Sequence, residues 1–225
     1  MTQTTSTTPP GSAATVLVID TSGSMNICAT CNSQSADRDG NYYHANNCAT
    51  GNRGYVKAAD TRLEAAKKAA ISFLDKYKGN TEDASRYVSV VAFNKIANVT
   101  KGWLDVSVPA NYTAVVNAIN GLSANGGTNL DQALLKAKAQ FSADTVKDIP
   151  ASAKNVIALT DGCPTYYGDG KEQHGSYGCP DTNKATAKTA TELKTVAGVY
   201  TVCFGAANEK CWTKDSAHRW IDYVF

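Results

Sequence analysis

Four short, largely apolar runs punctuate the chain, at residues 14–19, 87–93, 156–159 and 199–204. Each reads as a strand; the first has the continuous apolar pattern of a central strand covered on both faces, and the second is also of the buried type. Between them lie segments whose apolar residues recur at helical spacing. The first carries Leu63, Ala66, Ala70, Phe73, Leu74 and Tyr77, with Asp60 or Thr61 as its cap, Glu64 in its first turn and a stop at Gly79-Asn80. Others are expected at about 112–122, 129–141 and 183–196. Asn94-Lys95 reads as a tight turn into 96–104, an antiparallel edge strand. Strands alternating with helices dictate an α/β fold: a doubly wound, mostly parallel sheet with one antiparallel edge strand and helices on both faces.

Two of the runs end in polar residues of one kind. Asp20-Thr21-Ser22-Gly23-Ser24 follows the first run, and Thr160-Asp161-Gly162 follows the third. A third polar loop, Gly126-Gly127-Thr128-Asn129, precedes a helix. If the first and third runs are neighbouring parallel strands, Asp20 and Asp161 emerge together at their carboxyl ends, where open α/β sheets place their ligands. Asp20, Asp161, Ser22, Ser24 and Thr128 then offer oxygens alone, a set suited to a hard divalent cation, Mg²⁺ before Mn²⁺ or Ca²⁺.

These segments resemble the metal-ion-dependent adhesion site of von Willebrand factor A domains, whose pattern is Asp-x-Ser-x-Ser, then a Thr, then an Asp. All five positions are present in the family's order, and the resemblance runs from about Ala14 onward. It implies a central first strand, a cation at the top of the sheet, and direct ligation by Ser22 and Ser24. Thr128 is then direct or water-mediated, and Asp20 and Asp161 act mostly through water. In detail the chain is most similar to the A domains of Gram-positive surface proteins and pilus-tip adhesins, through residues 20–25, Trp103, 126–130 and 159–167. Such a module is expected outside the cell, wall- or pilus-associated. It would grip a carboxylate of a protein ligand, such as a host matrix or cell-surface protein, and would not be an enzyme. A structural or assembly domain whose metal only stabilises the sheet top is the alternative. An intracellular chaperone-type domain would require reduced cysteines.

Two insertions interrupt the pattern, at about 26–58 and 162–182. Both follow strands that carry candidate ligands, so both are expected to rise around the site. Tyr42, Tyr43, Tyr166 and Tyr167 are their candidate ligand contacts, aromatic residues being frequent anchors. The first insertion also holds Cys28, Cys31, His44 and Cys48, a spacing that allows a Cys₃His zinc site. The competing reading is a disulfide from Cys48 to Cys28 or Cys31, favoured by the extracellular resemblance. Cys163 is expected to pair with Cys179, and Cys203 with Cys211. Seven cysteines leave at least one unpaired or paired outside the chain.

At 225 residues the chain is long enough for one such domain, taken as residues 13–225. Residues 1–12 are Thr- and Pro-rich and read as a flexible linker rather than a secretory signal. The abrupt far end suggests a fragment of a larger protein. A net charge of +2 without a basic block gives no reason to expect nucleic acid, and no apolar run approaches a spanning helix. The histidines (His44, His174, His218) suggest no nucleophile–base arrangement, and no phosphate-binding glycine loop is present.

Overall fold

The computed structural model describes residues 9, 11–26, 29, 34–36, 42–44, 61–79, 84–162, 164–172, 180–204, 212–214 and 220–222. Eleven strands and four α-helices follow one another among them. In chain order these are β1 (Ala13–Asp20), β2 (Gln34–Ala36), β3 (Tyr42–His44), α1 (Arg62–Tyr77), β4 (Arg86–Phe93), β5 (Ala97–Asp105), α2 (Pro109–Asn120) and α3 (Leu130–Gln140). Then come β6 (Lys154–Thr160), β7 (Tyr166–Tyr167), β8 (Lys171–Glu172), α4 (Pro180–Leu193), β9 (Gly198–Cys203), β10 (Trp212–Lys214) and β11 (Trp220–Asp222).

Five strands form one sheet in the order β5-β4-β1-β6-β9, parallel except for β5, which runs antiparallel to β4. The remaining strands form three small antiparallel hairpins, β2–β3, β7–β8 and β10–β11. β1 is central, and its uninterrupted apolar run now has a cause. Val16 and Val18 belong to one buried cluster, with Leu130, Leu134, Ala137 and Phe141 of the α3 side. Leu17 and Ile19 belong to a second, with Leu63, Ala66, Ala70 and Leu74 of α1 and Val115 and Ile119 of α2. A strand buried on both faces has no polar face to display.

Thr61, not Asp60, caps α1: its side chain accepts the Glu64 amide at 3.2 Å. α2 begins at Pro109, three residues before the apolar periodicity starts, because a proline at the first helical position gives up no hydrogen bond. α4 likewise begins at Pro180 and ends at Leu193. The last parallel strand, β9, lies at one edge of this sheet. Tyr200 and Val202 of β9 are 58% and 41% exposed there.

Candidate functional site

The ends of β1 and β6 set the site. Their register pairs Ile19 with Leu159, so the next position brings Thr160, not Asp161, beside Asp20. The Thr160 hydroxyl donates to Asp20 Oδ2 at 2.6 Å. Asp20 Oδ1 accepts the amide of Ser22 at 2.7 Å, which folds the chain back over the strand end. A short 3-10 turn, Gly23–Asn26, follows, with Met25 buried beneath it.

This turn presents the two serines to each other. Ser22 Oγ and Ser24 Oγ are 3.0 Å apart, and Ser24 Oγ donates to Asp161 Oδ1 at 2.9 Å. The other oxygen of Asp161, Oδ2, accepts from Arg62 Nη1 at 2.8 Å in an ion pair whose side chains are 4% and 0% exposed. Among the described residues no such cation faces Asp20. Burial, and then the charge of Asp161, push its carboxyl up to about 7, against the smaller lowering from its Thr160 and Ser22 bonds.

The loop bearing Thr128 is tied to the serine turn through backbone. Gly23 N donates to Gly126 O at 2.9 Å, and Asn125 N to Thr21 O at 2.8 Å. Gly126 takes φ +74°, the left-handed region that favours glycine. Gly127 is required for another reason, because the Tyr166 ring packs where its Cβ would be. Thr128 is itself buttressed on both sides. Its amide donates to Thr165 Oγ1 at 2.9 Å, and its carbonyl accepts the amides of Thr165 and Tyr166 at 2.8 and 3.0 Å.

The β7–β8 hairpin is fixed to the start of α3. Asn129 caps that helix through Gln132 N and donates to the carbonyls of Lys95 and Gly168. Buried Asp131 accepts the Gly168 amide at 2.8 Å and the Thr189 hydroxyl at 2.5 Å, joining hairpin, α3 and α4. Tyr166 and Tyr167 are therefore held at the top of the sheet, half-buried, with Lys95 Nζ 5.2 Å from the Tyr166 ring centre.

The structure thus gathers Asp20, Ser22, Ser24 and Asp161 into one hydrogen-bonded chain, with the Thr128 loop bonded alongside. Their chemistry fits a hard divalent cation. Two ligands at right angles around Mg²⁺, each at about 2.0–2.1 Å, are about 2.9 Å apart; the serine hydroxyls are separated by 3.0 Å. No group of three or more His, Cys, Asp or Glu gathers among the described residues, so the two carboxylates would need hydroxyl, backbone or water oxygens to complete a shell. Arg62, Thr160, Thr165 and Asp131 were not singled out by sequence. The one signal for Arg62 was a basic residue at a helix start, against the helix dipole.

Tyr42, Tyr43 and His44 form β3, whose side chains are outside the described residues, as are Cys28, Cys31, Cys48, Cys163, Cys179 and Cys211. The zinc alternative falls there, as does at least one partner of every proposed disulfide. Cys203 is exposed at the end of β9. No described helix is long and apolar enough to cross a membrane.

Solved structures share this fold at low identity. The PilB minor pilin from Streptococcus sanguinis matches with a TM-score of 0.59 and 16% identity, covering 88% of this chain and 52% of that one. The pilus adhesin SpaC from Lactobacillus rhamnosus GG matches at 0.52 and 20%, covering 88% and 25%. A von Willebrand factor type A protein from Catenulispora acidiphila matches at 0.50 and 21%, covering 85% and 32%. This chain therefore spans about half or less of these structures. Among curated proteins none matches in sequence. The family model of the von Willebrand factor type A domain matches residues 15–163, from the middle of β1 past Asp161. The chain belongs to the von Willebrand factor type A domain family.

Proposed function

We propose that this domain is the binding module of a cell-surface or pilus-associated protein, taking an acidic group of a protein ligand through a divalent cation. Asp20, Ser22, Ser24, Thr128 and Asp161 would hold it, with Mg²⁺ preferred and Mn²⁺ or Ca²⁺ as substitutes. The observation that carries the reading is the serine pair, 3.0 Å apart at the top of the central strand. When bound, the cation supplies an electrophilic site for a ligand carboxylate oxygen. Everything else is done by the chain. Asp161 accepts the hydrogen bond of the Ser24 hydroxyl, which turns a lone pair of that oxygen toward the cation's place. Asp20 fixes the turn by accepting the Ser22 amide. Tyr166, standing over Gly127 beside Thr128, offers an aromatic wall to whatever approaches. Pilus proteins among the structural neighbours support a surface setting, and a host matrix or cell-surface protein is the proposed ligand class. The proposed role is binding rather than catalysis.

A second reading, a structural or assembly domain, is favoured by one observation. Both oxygens of Asp20 and both of Asp161 already accept protein donors, so the site is coherent without an ion. Binding of wild type, Asp20→Ala and Asp161→Ala to immobilised matrix proteins, with and without chelator, separates the two. The binding reading requires saturable binding that chelation and each substitution abolish, with circular dichroism unchanged. Binding that survives all three refutes it, and no binding by wild type favours assembly.

A further inference from the structure

Arg62 breaks a local rule. It occupies the first helical position of α1, where the dipole disfavours a cation, and it is only 4% exposed there. Residues that defy local preference without an evident packing reason tend to mark functional sites. Its partner, Asp161, lies 99 positions away and is itself wholly buried. The neighbouring buried cation of the same helix, Lys67, is engaged elsewhere, with Glu64 and the Asn120 carbonyl. Among the described residues, Arg62 is thus the cation bonded to the acidic pair.

We propose that Arg62 is a built-in counter-charge that loosens the site's hold on its divalent ion and leaves the loaded site net positive. This rests on the metal-site reading above. With both carboxylates ionised, Asp20, Asp161 and Arg62 sum to a formal charge of −1 rather than −2. A divalent ion then brings the cluster to +1 rather than zero. The surplus charge favours an incoming carboxylate, at the expense of affinity for the ion. The same guanidinium occupies Asp161 Oδ2, so that only Oδ1 is turned to Ser24. Arg62 is a positioning residue in this account: it acts through Asp161 and touches neither ligand nor substrate.

The test titrates Mg²⁺ by calorimetry into chelator-stripped wild type, Arg62→Gln and Arg62→Lys, each also melted with and without Mg²⁺. Glutamine keeps an amide donor and removes the charge. The proposal predicts that Arg62→Gln binds Mg²⁺ roughly tenfold more tightly, the effect of one unit charge on a divalent ion several ångströms away at water-like screening. Arg62→Lys, which retains the charge, stays near wild type. A purely structural arginine would give unchanged or weaker Mg²⁺ binding in Arg62→Gln, and that result overturns the proposal. If Arg62→Gln is unfolded in chelator, the proposal requires Mg²⁺ to restore its fold by replacing the missing positive charge. Failure to refold with Mg²⁺ also overturns it. Wild type that binds no Mg²⁺ would instead defeat the metal-site reading itself.

Discussion

Gly127→Ala isolates one contact that positions the site. An ideal Cβ on Gly127 falls 2.1 Å from Tyr166 Cε2, 2.5 Å from Cδ2 and 3.1 Å from Thr165 Oγ1. Non-bonded carbons rest at about 3.5–4.0 Å, so the ring must leave or the segment must shift. The backbone of Gly127 is not left-handed, so alanine itself is tolerated and the whole cost lies in the collision. Swinging the ring away gives up its packing on Gly127 and its contact with Lys95. Moving the segment breaks the bonds that hold Thr165 and Tyr166 to Thr128. Overpacking of this kind costs about 1–3 kcal/mol, the ring movement defining the lower end. In a domain of this size that lowers Tm by about 3–10 °C. The assay is a thermal melt in chelator of Gly127→Ala, Tyr166→Ala and the double variant. Removing the ring should make the alanine nearly neutral, a coupling of at least about 1 kcal/mol. Wild-type stability in Gly127→Ala, or strictly additive single effects, would refute the reasoning.

Two further outcomes follow from buried carboxylates. Asp131→Ala strands the Gly168 amide and the Thr189 hydroxyl, and should cost about 2–4 kcal/mol in urea unfolding; a loss under about 0.5 kcal/mol would show that the hairpin is not held through this carboxylate. Asp20 is raised from 3.8 to about 7, so between those values the folded state holds a proton that the unfolded state has lost. This group's contribution to ion-free stability is therefore full below about pH 4, declines as pH rises toward 7, and is flat above. The Tm increment from Mg²⁺ should accordingly be larger at pH 8 than at pH 5.5, and equal increments would contradict the assignment.

What the sequence could convey follows from what is local. The strand runs, the α1 stripe and the five candidate ligands are visible because each depends on spacing within a few residues. The central place of β1 was implied by the family resemblance. Partners distant in sequence were not legible. Arg62 reads as an ordinary helix-start residue until Asp161 is beside it, and Thr160 reads as the last strand residue until the register puts it against Asp20. Nor does the sequence show that the missing Cβ of Gly127 makes room for a ring 39 positions later. The apolar run of β9 marks a strand but not its place in the sheet, because composition records what a surface prefers to meet and not what covers it among the described residues.

The central claim is that Asp20, Ser22, Ser24, Thr128 and Asp161 form one cation site. Its most direct test is calorimetric titration of Mg²⁺ into chelator-stripped wild type and Asp20→Ala, with a thermal melt at each end point. The account predicts saturable 1:1 binding by wild type, a Tm that rises by about 3–5 °C at ten times Kd, and neither effect in folded Asp20→Ala. Equal Mg²⁺ responses in the two proteins, or none in either, would contradict it.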